Sequence, residues 1–483
     1  MIYKLFRTVF SFPILLGAVL MSCTYHIANR GIADPDIWWH LRNAEYLLKT
    51  HHFIRADMYS YTVNGLPWIN HEWLAEIPYY CAWRMWGLQG IFLVMICLIE
   101  AIMLGTYYLG YMAGGNAKSA FLASWIAMFL ATVSFGPRTL LFGWAYLIIL
   151  LAVLWRYRQR GEGPLWVLPP LFLLWVNSHG SWLIGMVVLW IFIVSGLFSG
   201  MGDAAKAMRW RAAQLKGLLR AAAFSMLALF VNPYGYRLVL YPFDFAFRQN
   251  LNVSNVEEWA SVDFHGLRGK ILLASVVVVL VMKVIRKQQW SLESLALFVF
   301  ALYASVTYSR FLFLAGIIFT PLLAVSLDMI PAYRQEKDKP LINAAFMMAA
   351  LLFVALRFPS ESSLEADIQN VYPGPAVAAL QALVRQNPGP VMHDYLWGGY
   401  MIWQCRDVPV FIDSRVDIFE YNGIVKEYFD FTNLRNSFEI LDKYKVRYAL
   451  LEKDSAQAYL LAHVSGWRVV YSDKVATIFE RVP

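Results

Sequence analysis

The 483-residue chain is a succession of apolar stretches of about 17–25 residues, each able to cross roughly 30 Å of hydrocarbon as a helix. Nothing else restricts the fold as much, because a backbone in lipid must satisfy its own hydrogen bonds. The windows at 8–26, 88–112, 119–135, 139–156, 164–177, 181–199, 218–232, 270–285, 292–309, 310–329 and 341–357 predict a mainly α, polytopic membrane helical bundle of about eleven spans. The pair 164–177 and 181–199 also fits one re-entrant hairpin. Hydrophobic residues make up 59% of the chain and charged residues 15%, against about 45–50% and about 25% in soluble domains. An ordinary cytosolic globule is therefore excluded.

The short loops test this map. Lys4/Arg7, Lys118, Arg156/Arg158/Arg160, Lys206/Arg209/Arg211/Lys216, Lys283/Arg286/Lys287 and Arg334/Lys337/Lys339 all fall on one side, which the positive-inside rule makes cytoplasmic. The N-terminus is then cytoplasmic, and three larger segments lie outside: loops over 27–87 and 233–269, and a tail from 358 onward. These loops account for the net charge of +8, and no nucleic-acid motif accompanies it, so nucleic acid is not an expected partner. Cys23, Cys81, Cys97 and Cys405 form no C-x-x-C pair and no metal spacing. Met1 to Met21 begins basic and then turns apolar, as a signal peptide does, and Leu20-Met21-Ser22-Cys23 has the form of a lipoprotein cleavage box. The same stretch serves as an uncleaved first span, with many spans following, and is read that way.

Residues 1–357 are thus read as a transmembrane domain and 358–483 as an extracytoplasmic α/β domain. In the tail, apolar β-rich runs at Val408-Ile412, Tyr448-Leu451, Arg468-Tyr471 and Ala476-Phe479 alternate with helix-like stretches at Ala376-Arg385, Ile424-Phe431, Ser437-Tyr444 and Ala456-Val464.

The first outer loop holds the chemistry-bearing residues. After Ala33-Asp34-Pro35-Asp36-Ile37-Trp38-Trp39-His40-Leu41 an amphipathic helix runs to about Lys49, with Asp34 placed to cap it and Pro35 where a helix can begin. Asp36 and His40, four apart, share one face. One reading makes Asp34 only a cap and Trp38 and Trp39 an aromatic belt at the headgroups. The other sees two carboxylates, Asp34 and Asp36, fit to hold a divalent cation such as Mg or Mn, or a general base acting on a lipid-linked substrate. His71-Glu72 precedes a second amphipathic helix; the position four after His71 is Ala75, so no H-E-x-x-H zinc motif exists. The pair either joins the Asp36 cluster or caps that helix.

Arg138, His179 and Arg310 sit at outer ends of spans, where the positive-inside rule does not put arginine without a reason. They suit an anionic lipid phosphate, or are snorkelling side chains and caps. Glu100 is an intramembrane carboxylate, Glu257-Glu258 adds acidic groups in the second loop, and Asn252-Val253-Ser254 has the N-glycosylation form. In the tail, His393-Asp394 and Phe411-Ile412-Asp413-Ser414-Arg415 follow β-like runs, where α/β domains place ligand contacts or structural loops.

ADPDIWWHL after span one, with juxtamembrane helices, many spans and an outward C-terminal domain, resembles the GT-C superfamily of membrane glycosyltransferases. With PWINHEWLAE, GPRTLLF, WVNSHGSW, VNPYGYR and FIDSR, it also resembles a group of bacterial membrane proteins carrying a D-P-D-x-W-W-H-L motif. The resemblance implies a bacterial inner-membrane enzyme that takes a sugar from a polyprenyl-phosphate donor and passes it to a lipid, glycan or protein acceptor. Asp36, or failing it Asp34, matches the catalytic carboxylate; His40, His71 and Glu72 support it, and Arg138, His179 and Arg310 hold the donor phosphate. Tyr395-Leu396-Trp397-Gly398-Gly399-Tyr400 is similar to the W-W-D-Y-G acceptor motif of oligosaccharyltransferases but lacks its aspartate, so that specificity is not carried over. The rival readings are a transporter or flippase of a lipid-linked or anionic substrate, a polysaccharide polymerase or ligase, and a scaffold whose tail binds a partner. A transporter predicts charges and broken helices near the bilayer midplane, where only Glu100 fits.

Overall fold

The computed structural model describes residues 2–29, 31–198, 205–206, 209–248, 251, 254 and 257–482, so Asn252-Val253 of the glycosylation pattern lies outside the described residues. In chain order the helices are α1 (Ile2–Val9), α2 (Phe12–Ala28), α3 (Asp36–Thr50), α4 (Trp73–Gly114), α5 (Ala117–Ala131), α6 (Leu140–Arg160), α7 (Leu168–Ser178), α8 (Trp182–Ser195), α9 (Ala212–Ala228) and α10 (Tyr236–Arg248). Leu267–Ile285, Leu292–Thr307, Leu312–Ser326 and Pro340–Leu356 complete the bundle. Every apolar window holds a helix, but fewer are full spans. Trp73–Gly114, Ala117–Ser134, Leu140–Arg160 and Ser309–Ser326 are long and apolar enough to cross a membrane, and Pro340–Leu356 with Glu361–Val371, bent by 58°, makes a fifth. α2, α7, α8 and Leu292–Thr307 are apolar but shorter, while Lys216 and Arg220 interrupt α9 and Arg268, Lys270 and Lys283 interrupt Leu267–Ile285. Length and composition therefore support four spans among the described residues, or five with the bent pair, and do not confirm the remainder of the eleven.

The basic loops do gather at one end. Arg7 donates to the Gln335 carbonyl (3.4 Å), Asn116 to that of Ile330 (2.7 Å), and Arg286 pairs with Asp328. Arg158, buried under the Trp210 ring (4.3 Å), is held by both oxygens of Glu293 (3.0 and 3.3 Å). The first outer loop, α10 and the C-terminal sheet lie together at the opposite end.

α4 is two helices in one. At Trp86 and Gly87 the backbone leaves helical geometry, with Gly87 at φ 58°, ψ −141°, a conformation open almost only to glycine. Beyond the break the amides of Leu88 and Gln89 donate to Glu361 (2.8 and 3.0 Å), which caps the inner helix from a distant segment. A Cβ on Gly87 would meet the Glu361 carboxylate at 2.4 Å. Gly87→Ala should therefore cost about 1–3 kcal/mol, read as a lowered melting temperature of the purified protein; an unchanged melt would show that the break tolerates a side chain.

In the tail, four strands run in the order Val391–His393, Tyr448–Glu452, Ala476–Arg481, Trp467–Ser472, the first pair parallel and the others antiparallel. Helices Gly374–Gln386, Ile424–Thr432, Ser437–Lys443 and Ala456–Ala462 accompany them. The run Val408-Ile412, read as a strand from its composition, is not in this sheet. It pairs outward instead: Val410 donates to the Tyr59 carbonyl (3.0 Å) and accepts from the Tyr61 amide (3.1 Å). The first outer loop thus docks on the tail through backbone hydrogen bonds.

Candidate active site

α3 begins where the sequence places it. Asp34 Oδ1 accepts from the Asp36 amide (3.0 Å), filling one orphan donor of the first turn, and Pro35 stands at φ −66° just before the helix. Trp38 and Trp39 do not form a headgroup belt. They are 2% and 4% exposed; Trp38 packs edge-on against Tyr372 and Tyr400 (5.6 and 5.2 Å), and Trp39 against Trp68 (5.9 Å). The C-terminal segment supplies this cover because Gly399 lets the backbones touch: a Cβ there would lie 2.4 Å from the Pro35 carbonyl.

Asp36 is partly buried at the head of α3, with one carboxylate oxygen accepting from Trp39 Nε1 (3.3 Å). Burial, and then the adjacent Asp34 carboxylate, push it up to about 7, against the pull of His40, the Ser414 hydroxyl and Arg138. Asp34 is differently placed. Its second oxygen accepts from Arg138 Nε at 2.7 Å, and Arg138 also pairs with Glu258 of the second outer loop. Burial works against the Arg138 charge, but the two carboxylates more than offset it and raise its pKa. Arg310 faces the same region with its guanidinium stacked on Trp259 (4.2 Å) and no carboxylate partner among the described residues. Of the three groups assigned to a donor phosphate, Arg310 keeps its hydrogen-bonding capacity open and Arg138 is engaged.

His40, His71, Glu72 and His179 come together one helical turn from Asp36. His40 Nδ1 is 3.0 Å from Glu76, and its Nε2 is 3.6 Å from Glu72. His71 Nε2 and His179 Nε2 approach the other Glu72 oxygen at 3.6 and 3.4 Å, and Thr139 donates to it at 2.7 Å. Burial lowers the His40 pKa, but Glu76 and Glu72 outweigh it and raise the pKa overall. Burial likewise works against the Glu72 charge, yet His71, His40, His179 and the Thr139 hydroxyl bring that carboxyl down to about 2. His179 is neutral, held at about 3 mainly by burial, with Nδ1 accepting from the Ser181 amide (2.9 Å), which leaves its Nε2–H for Glu72. Glu72 stands at the N-cap of α4 but makes no capping bond, so the pair joins the cluster. Glu76, which also accepts from Asn43 (3.0 Å) and Asn70 (2.8 Å), escaped the sequence reading; its place four residues after Glu72 was the available signal.

Both oxygens of Asp34 are taken by Arg138 and an amide, and among the described residues no three or more His, Cys, Asp or Glu side chains are arranged to hold a cation.

The tail contributes more than cover. Arg415, 3% exposed, reaches Asp57 of the first loop (2.7 Å) and Asp413 (2.6 Å) between the rings of Tyr59 and Trp68. Its neighbour Ser414 accepts from Trp39 Nε1 at 3.0 Å. His393 is a strut: its Nδ1–H donates to the Asp394 carbonyl (2.8 Å) and its Nε2 accepts from the Phe411 amide (2.9 Å), while burial holds it neutral, at about 4. A groove of about 660 Å³ lies between α8, the end of α9 and α10, lined by Trp182, Met186, Trp190, Leu229, Phe230 and Phe243.

No protein-family model matches the chain, and no curated protein matches its sequence. Solved structures do match over its whole length. The oligosaccharyltransferase of Archaeoglobus fulgidus, solved tethered to an acceptor peptide with the NVT sequon, superposes with a TM-score of 0.56 at 11% identity, covering 97% of this chain and 74% of that one. ArnT from Cupriavidus metallidurans bound to undecaprenyl phosphate superposes with a TM-score of 0.52 at 12% identity, covering 97% of each chain. In its apo state the TM-score is 0.54, with 97% and 98% covered. The chain shares the fold of these two proteins. At such low identity the likeness extends to the fold alone.

Proposed function

We propose that the chain is an integral membrane glycosyltransferase that moves a sugar from a polyprenyl-phosphate-linked donor to a lipid, glycan or protein acceptor at the outer face of a bacterial inner membrane. The observation that carries this reading is Asp36, a carboxyl group poised at about 7 at the head of α3, in a region that also presents Arg310, which has no carboxylate partner among the described residues. A base of that strength takes the proton of an acceptor hydroxyl near neutral pH. The acceptor oxygen attacks the anomeric carbon, the bond from that carbon to the phosphate oxygen breaks, and polyprenyl phosphate leaves with its new charge neutralised by Arg310. Inversion at the sugar requires no covalent enzyme intermediate. The prenyl chain lies in the groove of α8 and α9, whose lining is almost wholly apolar. Asp34 and Arg138 set the charge around Asp36, and the Glu72 cluster fixes α3 against α4.

The test is sugar transfer by the purified protein in nanodiscs, with a panel of radiolabelled polyprenyl-phosphate sugars and crude membrane acceptors. Transfer to an acceptor supports the reading; inactivity with every donor overturns it in favour of transport or scaffolding. A parallel arm with EDTA, Mg²⁺ or Mn²⁺ addresses the cation, and the arrangement of Asp34 predicts transfer in EDTA. Arg310→Gln should raise the donor KM about 10–100-fold with a smaller effect on acceptor KM. An unchanged donor KM would remove Arg310 from the phosphate site.

A further inference from the structure

α10 joins parts of the molecule that lie far apart in the chain. Its Tyr241 ring stacks on His71 of the first outer loop (4.4 Å, 28°), and the Tyr241 hydroxyl donates to Asp417 of the tail (3.1 Å). Asp244 accepts from the Tyr421 hydroxyl, and beyond the helix the Leu251 amide donates to Glu420 (2.8 Å). Asp417, Glu420 and Tyr421 all belong to the short tail helix Val416–Tyr421, so one face of α10 is committed to the tail. Another is core, where Leu238 is buried.

The remaining face is open and apolar. Tyr236, Leu240 and Phe243, at i, i+4 and i+7, are 61%, 54% and 42% exposed, a spacing that sets them in one stripe about 100° round the helix from Tyr241 and Asp244. The stripe does not stop at α10. Phe243, with Val239 beside it, walls the groove shared with α8 and the end of α9, where Phe230 lines the groove and its neighbour Val231 is likewise exposed. One apolar surface therefore runs from α10 onto the helices of the bundle. Arg237, exposed, flanks the stripe on its tail side, where a cation meets lipid phosphates when a helix lies in the headgroup region.

We propose that α10 is an interfacial helix: it lies along the bilayer surface on the side of the tail, with Tyr236, Leu240 and Phe243 in the acyl boundary, and ties the C-terminal domain to the lipid beside the groove. Lipid is the occupant because the stripe is continuous with the apolar outer surface of the bundle, which lipid already covers. The contact is independent of which reaction the site performs.

The experiment measures what the stripe touches. The full-length protein, with Cys23, Cys81 and Cys97 changed to Ala and the buried Cys405 kept, is reconstituted in phosphatidylcholine nanodiscs. An environment-sensitive fluorophore is attached at Leu240→Cys or Phe243→Cys, exposed positions where substitution is tolerated. Leu122→Cys, exposed on the apolar helix α5, is the lipid reference. Doxyl-labelled phosphatidylcholine should remove most of the emission at either α10 position, as at the reference. A nitroxide near the headgroup end of the chain should act more strongly than one near the methyl end, since such a helix sits about 5–10 Å into the boundary. Aqueous iodide should remove little. Strong quenching by iodide with none by doxyl lipid overturns the proposal and leaves the stripe in water. Protection from both quenchers, or a disulfide between two copies at Leu240→Cys, also overturns it and gives the stripe to a protein partner.

Discussion

Asp36→Asn should reduce sugar transfer by at least about 10³-fold, the upper range for loss of a general base, and leave the protein folded. The second half follows from its contacts: among the described residues the Asp36 carboxylate accepts a side-chain hydrogen bond from Trp39, which also donates to Ser414, so the amide keeps the shape of the site. The pH dependence carries a definite sign. A base must be deprotonated, so kcat/KM should rise with pH and level off above about 7, the position to which burial and Asp34 push this carboxyl. Because its folded pKa lies above that of a free aspartate, the folded state binds the proton more tightly than the unfolded one, and Asp36 costs stability increasingly as pH rises from about 4 to 7. Asp36→Asn should therefore be neutral to stabilising at pH 8 and nearly silent at pH 4, read from melting temperatures. Full transfer by Asp36→Asn together with none by Asp34→Asn would move the base to Asp34.

The largest structural effect is expected at Arg415. Its guanidinium neutralises Asp57 and Asp413, which are 2% and 0% exposed. Arg415→Met leaves two carboxylates of like charge buried together, and breaking a buried pair in this way costs about 3–5 kcal/mol. The loss is local to one interface, since Asp57 belongs to the first outer loop and Arg415 to the tail. The variant should insert into the membrane normally but expose the tail to limited proteolysis and melt at lower temperature. Adding Asp57→Asn and Asp413→Asn should recover part of the stability, because the uncompensated charge then disappears. A proteolysis pattern in Arg415→Met identical to wild type would show that the tail docks without this ion network.

The Trp38 and Trp39 reading shows where inference from sequence stops. Two adjacent tryptophans beside a membrane span are well placed for a headgroup belt, and only the presence of Tyr372, Tyr400 and Trp68 around them makes them core. The same holds for Arg138, which reads as an outward cation until Asp34 and Glu258 are seen to occupy it.

The helices, the gathering of basic loops at one end and the start of α3 at Asp36 were determined by the sequence alone, because each depends on neighbours within a few residues: apolar length, a proline at a fixed φ, an aspartate two residues before an amide. The convergence of His40, His71 and His179 on Glu72, the clamp of Arg415 on Asp57 and the reach of Ser414 to Trp39 were decided by tertiary structure. Those contacts join residues up to 375 positions apart, and no local pattern encodes them. They exist because Gly399 lets the tail close onto the Pro35 backbone, and a buried charge is stable only where docking brings it a partner.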